Sequence, residues 1–584
     1  MIDSVKNIFS RIYNRREPLI LSAVCVWMTC IALMGFSVSA RASLICALIT
    51  AIPVLFSALA LKGNTAVHVG RLLLFLSSLA VCARGVYEKK TDFYLFVCAA
   101  VFMAVVGVYC ARSLAEVEFG CDSRLIWIPL AVCAALYFAA FNSAVTVSRY
   151  LAYRAPAFDF GIFTQIFYSL KEHFLPLTTC ERGYELSHSA VHLSPVFYLA
   201  LPIYALFPRP ETVQIIQALA LALGVIPLWL TAKRLGISNK VSALFCVVYL
   251  FHPALMGGCM YDFHENSFLP VMILWTVYFA EKNKLIPAII FTVLTCSVKE
   301  DAAVYIAFLG LFLLFSGRRK VLGATITGVA LAYFVCACAY LDAQGLGIMT
   351  WRYTHVSSDG TLTGVIVTAI KEPFRVIKEC FSADKFQFAV MMLLPLGLLP
   401  FFTKKISRYI LFGGLVLVNL MPNWQYQYSL DFQYVFGPLT LLVYASLINY
   451  SELAPAVRRS LAAFACTACV LAASARMPSQ ANYIKYLDEL SEEIEVLDEA
   501  MTYVPNDAPV AATSFLLAHL AERDVVYEIG NTYDISDKMD EIEYVVIDLR
   551  YTEWDALPAK YARLGYIPVF RDDKVVCVMK RSLE

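Results

Sequence analysis

The chain has 584 residues, 60% of them hydrophobic, and a formal net charge of +1. Soluble chains are nearer half apolar, so this composition points to a membrane protein. The near-neutral balance leaves no basic footprint for nucleic acid, and nucleic-acid binding is excluded as a function class.

Lys6, Arg11, Arg15 and Arg16 precede the first apolar run and read as a cytoplasmic flank. The run lacks a small-residue cleavage site and reads as a retained helix. Helices are expected near 18–38, 43–62, 69–87 and 93–111, forming a four-helix N-terminal membrane region over residues 1–115. A helix near 125–147 opens a transmembrane core over residues 120–475. Its first long loop, 148–210, contains the amphipathic stretch FDFGIFTQIFYSL and an apolar stretch broken by Pro195 and Pro202. The latter reads as an interfacial helix that does not cross, because a crossing there would invert the sidedness of every later basic loop. Crossings are then expected near 211–232, 238–257, 265–281, 285–298, 302–316, 320–341, 386–403, 407–421, 432–450 and 457–474, with a second long loop at 342–385. The total is about 15 spans.

The basic connections Lys233/Arg234/Lys240, Lys282/Lys284, Arg318/Arg319/Lys320, Lys404/Lys405/Arg408 and Arg458/Arg459 alternate with polar, aromatic clusters. Basic loops stay cytoplasmic. The expected arrangement is therefore a multi-pass cell-membrane protein with a cytoplasmic N-terminus and its polar clusters on the outer face. Most of the 18 cysteines lie inside apolar stretches and read as small buried residues. Cys180 and Cys259 would both face outside, where a disulfide is conceivable.

After Ala475 the composition becomes charged. Residues 480–584 read as an extracytoplasmic α/β domain: an amphipathic helix over 483–504, strands at PVAATS, DVVYEI, YVVIDLR, YIPVF and KVVCVMK, and a turn at Asp572-Asp573. The fold class is thus an all-α polytopic membrane protein with a small C-terminal α/β domain.

Four clusters carry the candidate chemistry. Lys299-Glu300-Asp301 joins two helices of about 21 Å, shorter than the roughly 30 Å hydrocarbon core, so these charges lie below the membrane surface. Such charges are expensive and usually functional, and successive helical residues point about 100° apart, so no single partner serves all three. The competing structural reading is an interhelical ion pair. Asp159 opens the amphipathic stretch and is a candidate general base, against a plain helix cap. Asp262, His264 and Glu265 are read at the start of a helix, as substrate ligands or as capping groups; His264 and Glu265 are adjacent, which disfavours a helix-borne zinc pair. Arg352 can fork onto a phosphate, with His355 beside it, and Tyr428 could line a sugar site; all three also fit an interfacial belt at the membrane boundary. A divalent metal is conceivable, but nothing in the sequence indicates one.

In order along the chain, FDFGIFTQ, HLSPVFYLALPIYALFP, LALGVIPLWLTAKRLG, YDFHENSF and SVKEDAAVYIAFLGLFLL resemble a polytopic membrane family catalogued as domain of unknown function 2079 (DUF2079). The match runs over about residues 145–450, and VPNDAPVAATSFLLAHLAERDVVYEI resembles that family's C-terminal extension. The family in turn resembles the GT-C superfamily of membrane glycosyltransferases. That resemblance implies a GT-C-like core, a polyprenyl-phosphate sugar donor, membrane-lipid partners and a catalytic carboxylate in the first outer loop, at Asp159 here. The acid is a single Asp followed by Phe, where many GT-C members carry paired acids. The function implied is transfer of a sugar from that donor at the outer face. The alternatives are a transporter or lipid-handling protein, for which intramembrane charges serve equally well, and a non-catalytic envelope-assembly scaffold.

Overall fold

The computed structural model describes residues 16–34, 64–89, 92–116, 122–317, 319–357, 360–530 and 533–582. The helix expected near 43–62 and most of the basic N-terminal flank lie outside these residues. Six described helices are long and apolar enough to cross a membrane: Val67–Glu88, Phe93–Cys110, Arg124–Leu151, Pro210–Arg234, Lys320–Ala343 and Val457–Glu489. A seventh is added if Asn239–Leu250 and Pro253–Met260 are one span bent by 42°. Pro253 causes the break: it has no N–H, and His252 Nδ1 instead accepts from Ala254 N at 3.2 Å.

By length and composition these helices fall short of about 15 crossings. Part of the difference is physical. The segments expected to cross near 386–403 and 407–421 do not form single helices. Helix Ala383–Leu393 gives way to short 3₁₀ turns at Leu394–Leu396 and Leu399–Phe401. Pro395 and Pro400 withhold two donors, and Gly397 and Leu398 turn the backbone through positive φ, 65° and 53°. A 3₁₀ stretch Ile406–Phe412 and a π-helical stretch Leu415–Leu420 follow. Irregular backbone of this kind is tolerated at membrane depth where it is buried in protein or lines a cavity.

The short pair is present as expected, Leu285–Cys296 and Ala302–Phe315. The second packs closely on Lys320–Ala343 at two glycines. A Cβ on Gly323 would lie 2.4 Å from Leu314 N, and one on Gly310 would lie 2.7 Å from Thr327 N. Small residues at such crossings let backbones approach.

The first long loop forms helix Ala157–His173, a two-stranded hairpin of β1 (Leu177–Thr178) and β2 (Leu186–Ser187), and helix Phe197–Leu206. The last is 10 residues, about 15 Å, too short to span. Cys180 and Cys259 are separate buried thiols.

Beyond the last long helix, Asn482–Glu489 and Ser491–Met501 lead into a sheet of β3 (Val510–Thr513), β4 (Val526–Ile529), β5 (Tyr544–Asp548), β6 (Tyr566–Asp572) and β7 (Val576–Arg581). The order is β4-β3-β5-β7-β6, parallel among the first three and antiparallel thereafter. All five strands fall at the five segments expected from the sequence.

Candidate functional site

The site is built around an extended segment, residues 261–264, where the sequence pattern suggests the start of a helix. Gln217 on helix Pro210–Leu223 holds it open. Gln217 Nε2 donates to the carbonyls of Cys259 and Tyr261, both at 3.1 Å, and Gln217 Oε1 accepts from His264 N at 2.9 Å. These bonds replace the helical ladder, which begins only as a 3₁₀ turn at Glu265–Phe268. Asp262, His264 and Glu265 are buried in consequence, not displayed at a surface.

Asp262 is ion-paired to Arg149, at the end of helix Arg124–Leu151, and accepts from Gln214 Nε2 at 3.2 Å. Tyr261 Oη donates to Asp159 Oδ2 at 2.7 Å. Asp159 itself has φ of 72°, a left-handed conformation that costs a non-glycine residue about 1–2 kcal/mol and persists only where surroundings enforce it.

The three charges of the short turn face three ways. Lys299 Nζ lies 2.9 Å from Glu265 Oε1, whose other oxygen is 2.8 Å from His264 Nδ1. Glu300 Oε1 meets His192 Nδ1 at 2.8 Å, and Glu300 Oε2 accepts from Leu193 N at 3.2 Å. Asp301 Oδ1 has no hydrogen-bond partner among the described residues.

Lys299, Glu300 and Asp301 line one end of a cavity of about 410 Å³ together with Arg352, His192 and Tyr434. Its remaining wall is mostly apolar, with Phe308, Leu311, Phe334, Val365, Ile366 and Met421 among the lining residues. Leu331, Ile366 and Leu417 also line it and are 51%, 52% and 37% exposed, so its rim reaches the apolar flank of the protein. Arg352 is the distinctive group. Its Nη2 donates to Tyr434 Oη at 3.2 Å and to Met349 Sδ at 3.1 Å, and its guanidinium lies within 5.8 Å of the Trp351, Trp424 and Tyr434 ring centres. Its Nε is buried with no hydrogen-bond partner, and it forms no ion pair among the described residues.

Of the residues singled out from sequence, Lys299, Glu300, Asp301 and Arg352 share this cavity. Glu265 and His264 stand behind it through the Lys299 contact. Asp159 and Asp262 are tied to the same segment at Tyr261–Asp262 but do not line the cavity. His355 Nε2 is satisfied by Met421 O at 2.9 Å, and the Tyr428 ring lies under Lys385 Nζ at 5.4 Å; neither lines the cavity. Sequence reasoning missed Arg149, His192, Gln214, Gln217 and Tyr434. Arg149 had a signal, a lone charge closing a long apolar helix. His192 stood in the quoted HLSPVF motif. The glutamines had none, since an amide one turn inside a helix is common.

No group of three or more His, Cys, Asp or Glu side chains is placed to hold a metal ion among the described residues. In the first long loop, Glu181 and His188 are both buried and 3.0 Å apart. Burial alone would raise the Glu181 carboxyl and lower the His188 imidazole. Their attraction outweighs it, so Glu181 sits below its ordinary value and His188 above.

The family model for predicted membrane proteins DUF2079 matches residues 149–565, and the chain belongs to that family. It is a membrane protein, largely helical, with a small C-terminal sheet. Solved structures that show likeness include the following two. ArnT from Cupriavidus metallidurans bound to undecaprenyl phosphate is 12% identical, with a TM-score of 0.48, over 79% of this chain and 99% of that one. An oligosaccharyltransferase from Archaeoglobus fulgidus is 11% identical, with a TM-score of 0.38, over 73% of this chain and 70% of that one. No curated protein matches.

Proposed function

We propose that this protein is a GT-C-like membrane glycosyltransferase that moves a sugar from a polyprenyl-phosphate donor to an acceptor at the outer face of the cell membrane. The observation that carries the reading is the cavity: a hollow with an apolar wall, a rim on the lipid-facing flank, and an unpaired guanidinium at its polar end. Those are the requirements of an amphiphile with an anionic head. Lys299 is a weaker candidate for the phosphate than its charge suggests, because Glu265 already occupies it.

In this reading Asp159, which stands outside the cavity and is joined to it through the 261–265 segment and Lys299, takes the proton from the acceptor hydroxyl. The acceptor oxygen bonds to the anomeric carbon, the bond from that carbon to the phosphate oxygen breaks, and polyprenyl phosphate leaves with its charge facing Arg352. Asp262 and Arg149 hold the segment that presents Tyr261 to Asp159. The accompanying topology is a cytoplasmic N-terminus and an extracytoplasmic C-terminal domain.

The test is transfer from polyprenyl-phosphate-linked sugars by the purified protein in lipid. Transfer by wild type and its loss by at least about a hundredfold in Asp159→Asn is the expected result. Equal transfer by the two proteins overturns the role of Asp159, and no transfer from any such donor overturns the activity. One observation favours a second reading, proton-coupled lipid handling: the buried pairs Glu181–His188, His192–Glu300 and His264–Glu265 could exchange protons. Proton uptake linked to lipid movement in proteoliposomes distinguishes it.

A further inference from the structure

The C-terminal sheet has a place where a ligand would be expected. From β3 the chain goes outward to β4, then crosses to β5 on the other side of β3. In open α/β sheets the crevice at the carboxyl ends of two such strands is the usual binding position. The carboxyl ends of β3 and β4 open onto a hollow lined by Ser514, Glu528, Ile529, Gly530, Glu553 and Trp554, while the helix after β3 and a residue shortly after β5 grip a segment of the chain itself. Helix Ser514–Leu520 follows β3 and carries His519; Arg550 follows β5. Tyr153, from the loop that leads to Asp159, sits between them. Its ring stacks on His519 with centres 3.7 Å apart, and its carbonyl accepts from Arg550 Nη2 at 3.0 Å.

The hold is redundant. His519 is stacked on its other side by Tyr150, centres 4.0 Å apart, and its Nε2 is 2.9 Å from Tyr150 O. Arg550 is fixed by Asp548, at 2.8 Å and 2.6 Å, and by Glu493 at 2.8 Å. Tyr153 Oη donates to Asp498 at 2.8 Å. Farther along the helix that Asp159 begins, Gln165 Nε2 donates to Asp524 O at 3.0 Å. Burial lowers His519 to about 3, so its ring is neutral at physiological pH and stacks without a charge to solvate. Tyr153 and Asp159 both have positive φ, 53° and 72°. Two such residues within seven positions need an external scaffold to keep one conformation.

We propose that His519 and Arg550 are positioning residues for Asp159, and that the C-terminal domain is a clamp that grips the loop bearing that acid through Tyr153. The clamp stands on the contacts alone; the consequence for transfer rests on the role given to Asp159 above.

Hydrogen exchange on the full-length protein in lipid nanodiscs tests the clamp without any substrate. His519→Ala and Arg550→Ala are expected to raise exchange over residues 150–165 at least about tenfold, and His519→Phe, which keeps the stack, to restore protection. Helix Lys320–Ala343 should exchange as in wild type, which shows that the fold is intact. Arg154→Ala probes the same contact from the membrane side, where Arg154 donates to Tyr551 Oη at 2.9 Å, should the first two variants fail to fold. Unchanged exchange over 150–165 in the folded variants overturns the clamp. In the transfer assay, kcat should fall about tenfold to a hundredfold in His519→Ala while KM for the donor stays within about twofold. Loosened exchange with unchanged kcat overturns the positioning role. A wild type without transfer activity speaks against the proposed function and leaves the exchange result to judge the clamp.

Discussion

The cavity beside Arg352 and the Asp159 region share one polar segment yet are built on opposite principles. Around Asp159 nearly every charge has a near partner: Arg149 meets Asp262, Arg550 meets Asp548 and Glu493, and Tyr261 meets Asp159. In the cavity one cation, Arg352, is wrapped in aromatic rings and has no carboxylate within ion-pairing distance among the described residues, although Asp301 lines the same cavity. A buried charge left unpaired is costly unless something else compensates it. The difference separates a region whose groups hold one another in place from a region whose charge is available to a ligand. Lys299 marks the boundary, since it lines the cavity and yet belongs to the paired network through Glu265.

The sharpest way to break this contrast is to strip Lys299. If it is a member of the paired network, Lys299→Met leaves buried Glu265 with only the His264 imidazole beside it, and should lower stability by about 3–5 kcal/mol. Lys299→Met with Glu265→Gln should recover much of that loss, read as thermal unfolding in detergent. A single variant as stable as wild type would place Lys299 with Arg352 on the ligand side. A smaller effect is expected from Arg352→Ala. Loss of a charged hydrogen-bond donor should weaken binding of polyprenyl phosphate about tenfold to a hundredfold with little change in melting temperature. A large fall in melting temperature with unchanged binding would make Arg352 a structural anchor.

The smallest effect belongs to the Glu181–His188 pair. A histidine raised on folding stabilises the fold below its unfolded value, near 6.5, and that contribution disappears as pH rises through the folded value. A depressed glutamate stabilises above its unfolded value, near 4.5, and loses its contribution as pH falls through the folded one. The pair therefore contributes most between these values. The melting temperature of wild type should exceed that of His188→Gln most near pH 5.5 and the gap should narrow toward pH 9. A gap independent of pH would mean that the histidine does not ionise in the fold.

Legibility followed local pattern. The five C-terminal strands are short runs rich in β-branched and aromatic residues, the last two separated by the turn residues Asp572-Asp573, so each was readable alone. The short pair Leu285–Cys296 and Ala302–Phe315, and the charged turn between them, were readable because charges inside apolar runs are rare. The stretch 386–421 was not. Its residues are as apolar as those of a spanning helix, and hydropathy cannot register that Pro395, Pro400 and two positive-φ residues break the ladder. Likewise Asp262-Phe263-His264-Glu265 looks like a helix start, and only the distant Gln217 shows why it is extended.

Composition and local pattern determined by themselves that this is a largely helical membrane protein with a small C-terminal sheet, because the burial of apolar helices and the pairing of short strands are written segment by segment. Which charges are paired and which is left for a ligand was decided by the tertiary structure. Arg352 and Lys299 are both cations flanking apolar stretches. They differ in that Glu265 lies 2.9 Å from one, whereas aromatic rings surround the other and hold it without a close ion pair among the described residues. Electrostatic partnership depends on distances of a few ångströms between segments remote in sequence, and folding alone sets those distances.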